Sequence, residues 1–155
     1  MTSFPETGSA SIEVDAAPEV VWHLVADITR MGEWSPECYR AEWVDNASGP
    51  EVGAHFHGYN RAGKFEWDAP CVVTECEPGT VFAFQVPREG PVVTRWRFDV
   101  AAGATGTTLT ESFDAPMINV EGMPSNFDGR YEMLAAAIQT TIANIKAAAE
   151  AQAQA

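Results

Sequence analysis

Apolar and polar positions alternate over 9–15, with Ile12 and Val14 on one side and Ser11, Glu13 and Asp15 on the other. A period of two marks a half-buried strand. The period changes after Pro18. Val21, Leu24, Val25 and Ile28 recur at helical spacing, and Pro18 suits a first helical turn. Residues 31–36 read as a short turn or one-turn helix carrying Trp34. Six strand-like segments follow, at 39–45, 53–60, 65–77, 81–86, 92–100 and 105–113. The third is long and carries Pro70, which predicts a bend. The segments are separated by turn-forming stretches at 46–50, 61–63, 78–79, 88–91 and 101–104. Such short links imply antiparallel hairpins. An irregular connector spans 115–124. Ser125 and Asp128 then match an S-x-x-D capping box. Phe127, Tyr131, Leu134, Ile138, Ile142 and Ile145 form one helical stripe that predicts a helix to about residue 149.

The order is strand, two short helical pieces, six strands, long helix. This predicts an α+β domain in which the C-terminal helix lays its single stripe across a curved antiparallel sheet. A straight helix over a curved sheet leaves space between them, so an apolar cavity is expected there. The chain has 155 residues, the size of one domain. The expected division is a flexible arm at 1–8, one domain at 9–149 and a frayed Ala/Gln tail at 150–155.

Charge narrows the partners. The formal net charge is −13. Phosphate recognition needs clustered Lys and Arg, so nucleic acid is excluded. Binding to an anionic membrane surface is disfavoured for the same reason. No run approaches a membrane span, and residues 1–10 lack the basic and apolar regions of a signal peptide. Cys38, Cys71 and Cys76 are odd in number and form no CxxC, so no disulfide framework is indicated. A cytoplasmic monomer or homodimer is expected, with no cofactor and a small hydrophobic molecule as partner. Five Trp, eight Phe and three Tyr suit a cavity for such a molecule.

The last hairpin carries the most chemistry. With its turn centred between Gly103 and Ala104, Phe98 faces Leu109, Trp96 faces Glu111 and Thr94 faces Phe113. Trp96, Phe98, Val100, Leu109 and Phe113 then share an apolar face with Glu111 in its middle. Arg95, Arg97, Asp99, Thr108, Thr110 and Ser112 take the opposite face. A carboxyl on an apolar face costs several kcal/mol unless paired, wetted or protonated. Glu111 is therefore the candidate for orienting a ligand or for acid/base work, with a structural Glu bonded to a neighbour as the plainer alternative. His55 and His57 share a strand face but lack a third ligand, and read as surface residues, as does His23. No G-x-S-x-G nucleophile elbow occurs. Met117 and Met123 in the connector are candidates for lid residues or for core packing.

Trp34-Ser-Pro-Glu-Cys38, Phe56-His-Gly-Tyr-Asn-Arg61 before a hairpin with Trp67, and Val73-Thr-Glu-Cys-Glu-Pro78 resemble the polyketide cyclase/dehydrase-like branch of the START/Bet v 1-like (SRPBCC) superfamily. The resemblance covers roughly 9–149. It implies a helix-grip fold, with a seven-stranded curved antiparallel sheet wrapped around the long C-terminal helix, and a deep hydrophobic cavity. Aromatase/cyclases of this kind place an Arg with Tyr, Trp or Asp in the pocket. Here the inward face offers Glu111, Trp96 and Tyr131, while Arg95 and Arg97 point away by parity. The expected lining is Trp34, Phe56, Trp67, Phe84, Trp96, Phe98, Glu111, Phe113, Met117, Phe127, Tyr131, Leu134 and Ile138. The expected function is carriage or sensing of a lipid-, fatty-acid- or polyketide-like ligand. The alternatives are a cyclase or dehydratase using Glu111 as acid/base, and a non-enzymatic regulatory interaction protein.

Overall fold

A computed structural model describes residues 3–87 and 90–154. Strand β1 (Thr7–Val14) leads into helix α1 (Pro18–Ala26) and a 3-10 helix (Ile28–Glu33). Strands β2 (Cys38–Val44), β3 (His55–Ala62), β4 (Phe65–Glu77), β5 (Val81–Pro87), β6 (Val92–Ala102) and β7 (Thr107–Asp114) follow, and helix α2 (Arg130–Ala153) closes the chain. The sheet has seven strands in the order β1-β7-β6-β5-β4-β3-β2, with every neighbouring pair antiparallel. This is the expected helix-grip arrangement. Arg88 and Glu89 of the expected 88–91 loop lie outside the described residues.

Several boundaries differ from the sequence reading. Helix α2 starts at Arg130 rather than at Ser125. Gly129 precedes it at φ 94°, a left-handed conformation that breaks the chain's path into the helix. Ser125 caps nothing; its hydroxyl is buried without a hydrogen-bond partner. The Asn126 amide is used elsewhere, donating to the Ile118 carbonyl at 2.8 Å. Phe127 therefore leaves the helical stripe and is 44% exposed. At the other end, Ala and Gln are good helix formers, and α2 continues through the expected tail to Ala153. Strand β1 begins at Thr7, inside the expected arm. Ahead of it, Phe4 and the Asn119 side chain exchange two hydrogen bonds of 2.7 and 2.8 Å, so this stretch is tied to the connector.

The β6–β7 register is also two residues from expectation. Phe98 opposes Glu111 and Trp96 opposes Phe113. Thr105 joins a four-residue turn that Gly103 N–H closes onto the Gly106 carbonyl at 3.2 Å. A shift of two keeps every side chain on its face, because the strand period is two. The partners changed and the faces did not.

Helix α2 packs on β1, β7 and α1. Polar contacts fix its C-terminal half. Asn144 donates to the Trp34 carbonyl at 3.1 Å, and Lys146 reaches the Glu13 carbonyl and Glu150, both at 2.7 Å. Trp22 in α1 donates its indole N–H to the Val81 carbonyl of β5 at 2.8 Å, locking α1 to the sheet. The 3-10 helix packs against β2. Gly32 makes that approach close: a Cβ there would sit 2.3 Å from the Tyr39 carbonyl oxygen, against backbone that has little room to yield. Gly32→Ala should cost about 1–3 kcal/mol through overpacking. Urea unfolding checks this, with a lower midpoint at unchanged slope as the expected result.

Candidate functional site

The inner face of the sheet is built by alternation. Phe56 and Gly58 of β3 point in, as do Cys71 and Val73 of β4, Phe82 and Phe84 of β5, Phe98 and Val100 of β6, and Leu109, Glu111 and Phe113 of β7; all are buried. The buried side chains they present fall into two groups. Leu109, Phe98, Phe56, Phe84, Trp34, Ile142 and Ile145 belong to one buried cluster. Phe113, Ala115, Ile118, Leu134 and Ile138 form a second. Ala10 and the half-buried Trp96 pack against both. The expected lining is thus divided. On α2 the division falls between Ile138 and Ile142, and on β7 between Leu109 and Phe113.

Glu111 sits in that division. Its neighbours across the sheet are Ala10 on β1 and Phe98 on β6. The residue is only 4% exposed, and Oε1 is buried with no hydrogen-bond partner. Burial alone pushes its carboxyl well above the ordinary value, with no charged group contributing. Arg95 and Arg97 are turned away and paired outside, Arg95 with Asp114 at 2.9 Å and Arg97 with Asp99 at 2.9 Å and with Glu75. Burial in this apolar setting thus favours the un-ionised form of Glu111.

The second cluster holds an aromatic ladder. Phe113 lies 5.8 Å from Trp96 and 5.8 Å from Tyr131, centroid to centroid. The Tyr131 hydroxyl donates to the Thr7 carbonyl at 3.2 Å, which ties the start of α2 to β1. The preceding residue reaches the other side of the fold. Arg130 makes a two-pronged ion pair with Glu37 at 2.7 and 3.1 Å, and its guanidinium lies 5.7 Å from the ring centroid of the half-buried Trp67. Both side chains of the pair are mostly buried, 13% and 16% exposed. The first turn of α2 thus straps β1 to β4 and to the turn before β2. The sequence reading weighed only Arg95 and Arg97 and missed Arg130. Parity arguments reach strand residues, and Arg130 stands on the helix start that sequence reading placed five residues early.

Met117 is half-buried in the connector, and Phe127 lies at the surface. Buried Cys38 and Cys71 donate to the Arg40 and Ala69 carbonyls, and burial pushes both thiols up, so they are protonated and unreactive. His55 is exposed, and His57 is bonded to Asp68 at 2.7 Å on the outer face of the sheet. Among the described residues no cluster of His, Cys, Asp and Glu is arranged to hold a metal. Two surface concavities lie elsewhere. One groove of about 620 Å³ crosses the outer face of the sheet past Ser9, Ser112, Arg97, Ala83 and Glu75. A second, of about 400 Å³, follows the 45–55 loop.

The family model for "Polyketide cyclase / dehydrase and lipid transport" matches residues 6–150. The chain belongs to that family. Among solved structures, the Polyketide_cyc-like protein Cgl2372 of Corynebacterium glutamicum is 30% identical, with a TM-score of 0.62 over 92% of this chain and 90% of that one. Protein CV1439 of Chromobacterium violaceum is 15% identical, with a TM-score of 0.68 over 94% and 99%. The di-domain ARO/CYC StfQ from the steffimycin biosynthetic pathway shares the fold at 15% identity and a TM-score of 0.74, this chain matching 52% of its length. No curated protein matches this family member in sequence. Among the described residues no helix is long and apolar enough to cross a membrane.

Two measurements probe the site. Glu111 binds its proton more tightly when folded than when unfolded, so its ionisation favours the unfolded chain as pH rises above the ordinary 4.5. Glu111→Leu should stabilise by about 1–3 kcal/mol near pH 7–8, and the gain should shrink towards pH 4.5. Thermal melts across that range check it; a gain independent of pH would contradict a buried, proton-holding carboxyl. Arg130→Met should destabilise by about 2–3 kcal/mol by leaving Glu37 buried and unpaired. Adding Glu37→Leu should recover most of the loss, which a double-mutant cycle measures.

Proposed function

We propose that this family member binds a small hydrophobic molecule in the seam between α2 and the sheet. The observation that carries the reading is the division of the core into two apolar clusters along that seam, with Ala10 and half-buried Trp96 between them. A ligand inserted there gains apolar burial on both sides and aromatic contact with Trp96 and Phe113. Entry is at the strap, where Arg130, Trp67 and Tyr131 hold the start of α2 and the connector before it has no regular structure.

Carriage or sensing fits better than turnover. Acid/base catalysis needs a group to give the proton and one to take it back. Among the described residues, Glu111 has no titratable group within hydrogen-bond reach. The family's description spans cyclisation, dehydration and lipid transport, so both readings remain inside it.

The test is titration with N-phenyl-1-naphthylamine, an uncharged dye that brightens in apolar surroundings. Saturable one-to-one binding is expected. Ala10→Leu, which fills the junction of the clusters, should weaken it at least tenfold while the chain stays folded. Unsaturable binding, or binding indifferent to Ala10→Leu, would defeat the reading.

A further inference from the structure

Glu111 Oε1 is buried with no hydrogen-bond partner among the described residues, and burial favours the un-ionised carboxyl, which has an O–H to donate. The side chain is 4% exposed, stands in the middle of the apolar β7 face, and meets Ala10 and Phe98 across the sheet. The other polar side chains buried in this region are satisfied locally. Thr141 donates to the Ala137 carbonyl at 2.8 Å, and Thr107 donates to the Ala16 carbonyl at 2.7 Å. Leaving a buried polar group unmatched costs stability, and sites that keep such a group discriminate strongly for the ligand that satisfies it.

We propose that Glu111 is the polar anchor of the seam, and that the ligand it selects is an uncharged hydrophobic molecule bearing a carbonyl oxygen, such as a ketone, quinone or ester. This rests on the binding reading above and adds the ligand's chemistry. The acceptor is a carbonyl because the anchor supplies a donor. The ligand is uncharged because, among the described residues, no charged group offsets the burial of Glu111 and the inward Arg130 is already paired with Glu37. Arg95, Arg97 and Lys146 are engaged outside the division, and Arg130 is held two-pronged by Glu37 at the strap. A fatty-acid carboxylate placed beside Glu111 would be buried without a counter-charge, which is far costlier than burying a ketone. The anchor therefore points away from free fatty acids and towards neutral carbonyl compounds.

Three rigid probes of nearly equal shape separate the possibilities: fluorene, 9-fluorenone and fluorene-9-carboxylate. Their affinities are measured at pH 7 for the native chain, Glu111→Leu and Glu111→Gln. The ketone-to-hydrocarbon affinity ratio should be about tenfold higher in the native chain than in Glu111→Leu, the effect of one buried hydrogen bond. Glu111→Gln keeps an N–H donor and should retain most of that preference. The infrared carbonyl band of bound fluorenone should move to lower frequency in the native chain and return in Glu111→Leu. The carboxylate should bind at least tenfold more weakly than the ketone. Equal ratios in native and Glu111→Leu chains, or an unshifted band, would overturn the anchor while leaving the binding reading intact. Carboxylate binding as tight as ketone binding would overturn the selection for uncharged ligands. Failure of both fluorene and fluorenone to bind would overturn the binding reading itself.

Discussion

Helix α2 has one apolar stripe, and the sheet has one apolar face, so each is the other's main shelter from water. Ile142, Ile145 and Ala149 bury the C-terminal half of the helix in the larger cluster with α1 and β1. Asn144, Lys146 and Glu150 reinforce that half with hydrogen bonds to Trp34, Glu13 and Asp15. The N-terminal half rests on a smaller cluster of Phe113, Ala115, Ile118, Leu134 and Ile138. Burial per residue drives both contacts, but one is much larger than the other. The helix is therefore anchored by apolar burial at one end and strapped by Arg130 and Tyr131 at the other.

Glu111 follows from that asymmetry. A carboxyl in a continuous core would be selected against, because its desolvation goes unrepaid. It sits instead on β7 between Leu109 of one group and Phe113 of the other. Its burial lowers stability at neutral pH, which is the usual signature of a position retained for function rather than for folding. The thiols of Cys38 and Cys71 show the contrast. They too are buried on the inner face, yet each finds a carbonyl acceptor and remains a small, quiet core residue.

The strap divides its labour between neighbouring residues. Arg130 and Tyr131 are adjacent in sequence and reach opposite sides of the fold, one to Glu37 and Trp67, the other to Thr7 and Phe113. A buried ion pair contributes little net stability but resists loss of either partner. It fixes where the helix begins more than how strongly it is held. The outer face of the sheet is ordered by different means, a lattice of Arg–carboxylate pairs across β4, β6 and β7 that stays in water.

Local periodicity was enough to determine the succession of strands along the chain, the sides of β1, β6 and β7, and the presence of Glu111 on the apolar face. Those properties survive a register error of two, because alternation depends only on parity. It was also enough to determine one long amphipathic C-terminal helix. The tertiary structure alone decided where that helix starts, since Gly129 and the Ile118 carbonyl, rather than Ser125, set the entry. It alone paired Arg130 with Glu37, which stand 93 positions apart and carry no shared pattern. It alone divided the core in two around Trp96 and Ala10. A repeat in the chain states which face of an element is apolar. Which apolar faces meet, and which polar atom is left between them, depends on contacts among residues distant in sequence that no local period encodes.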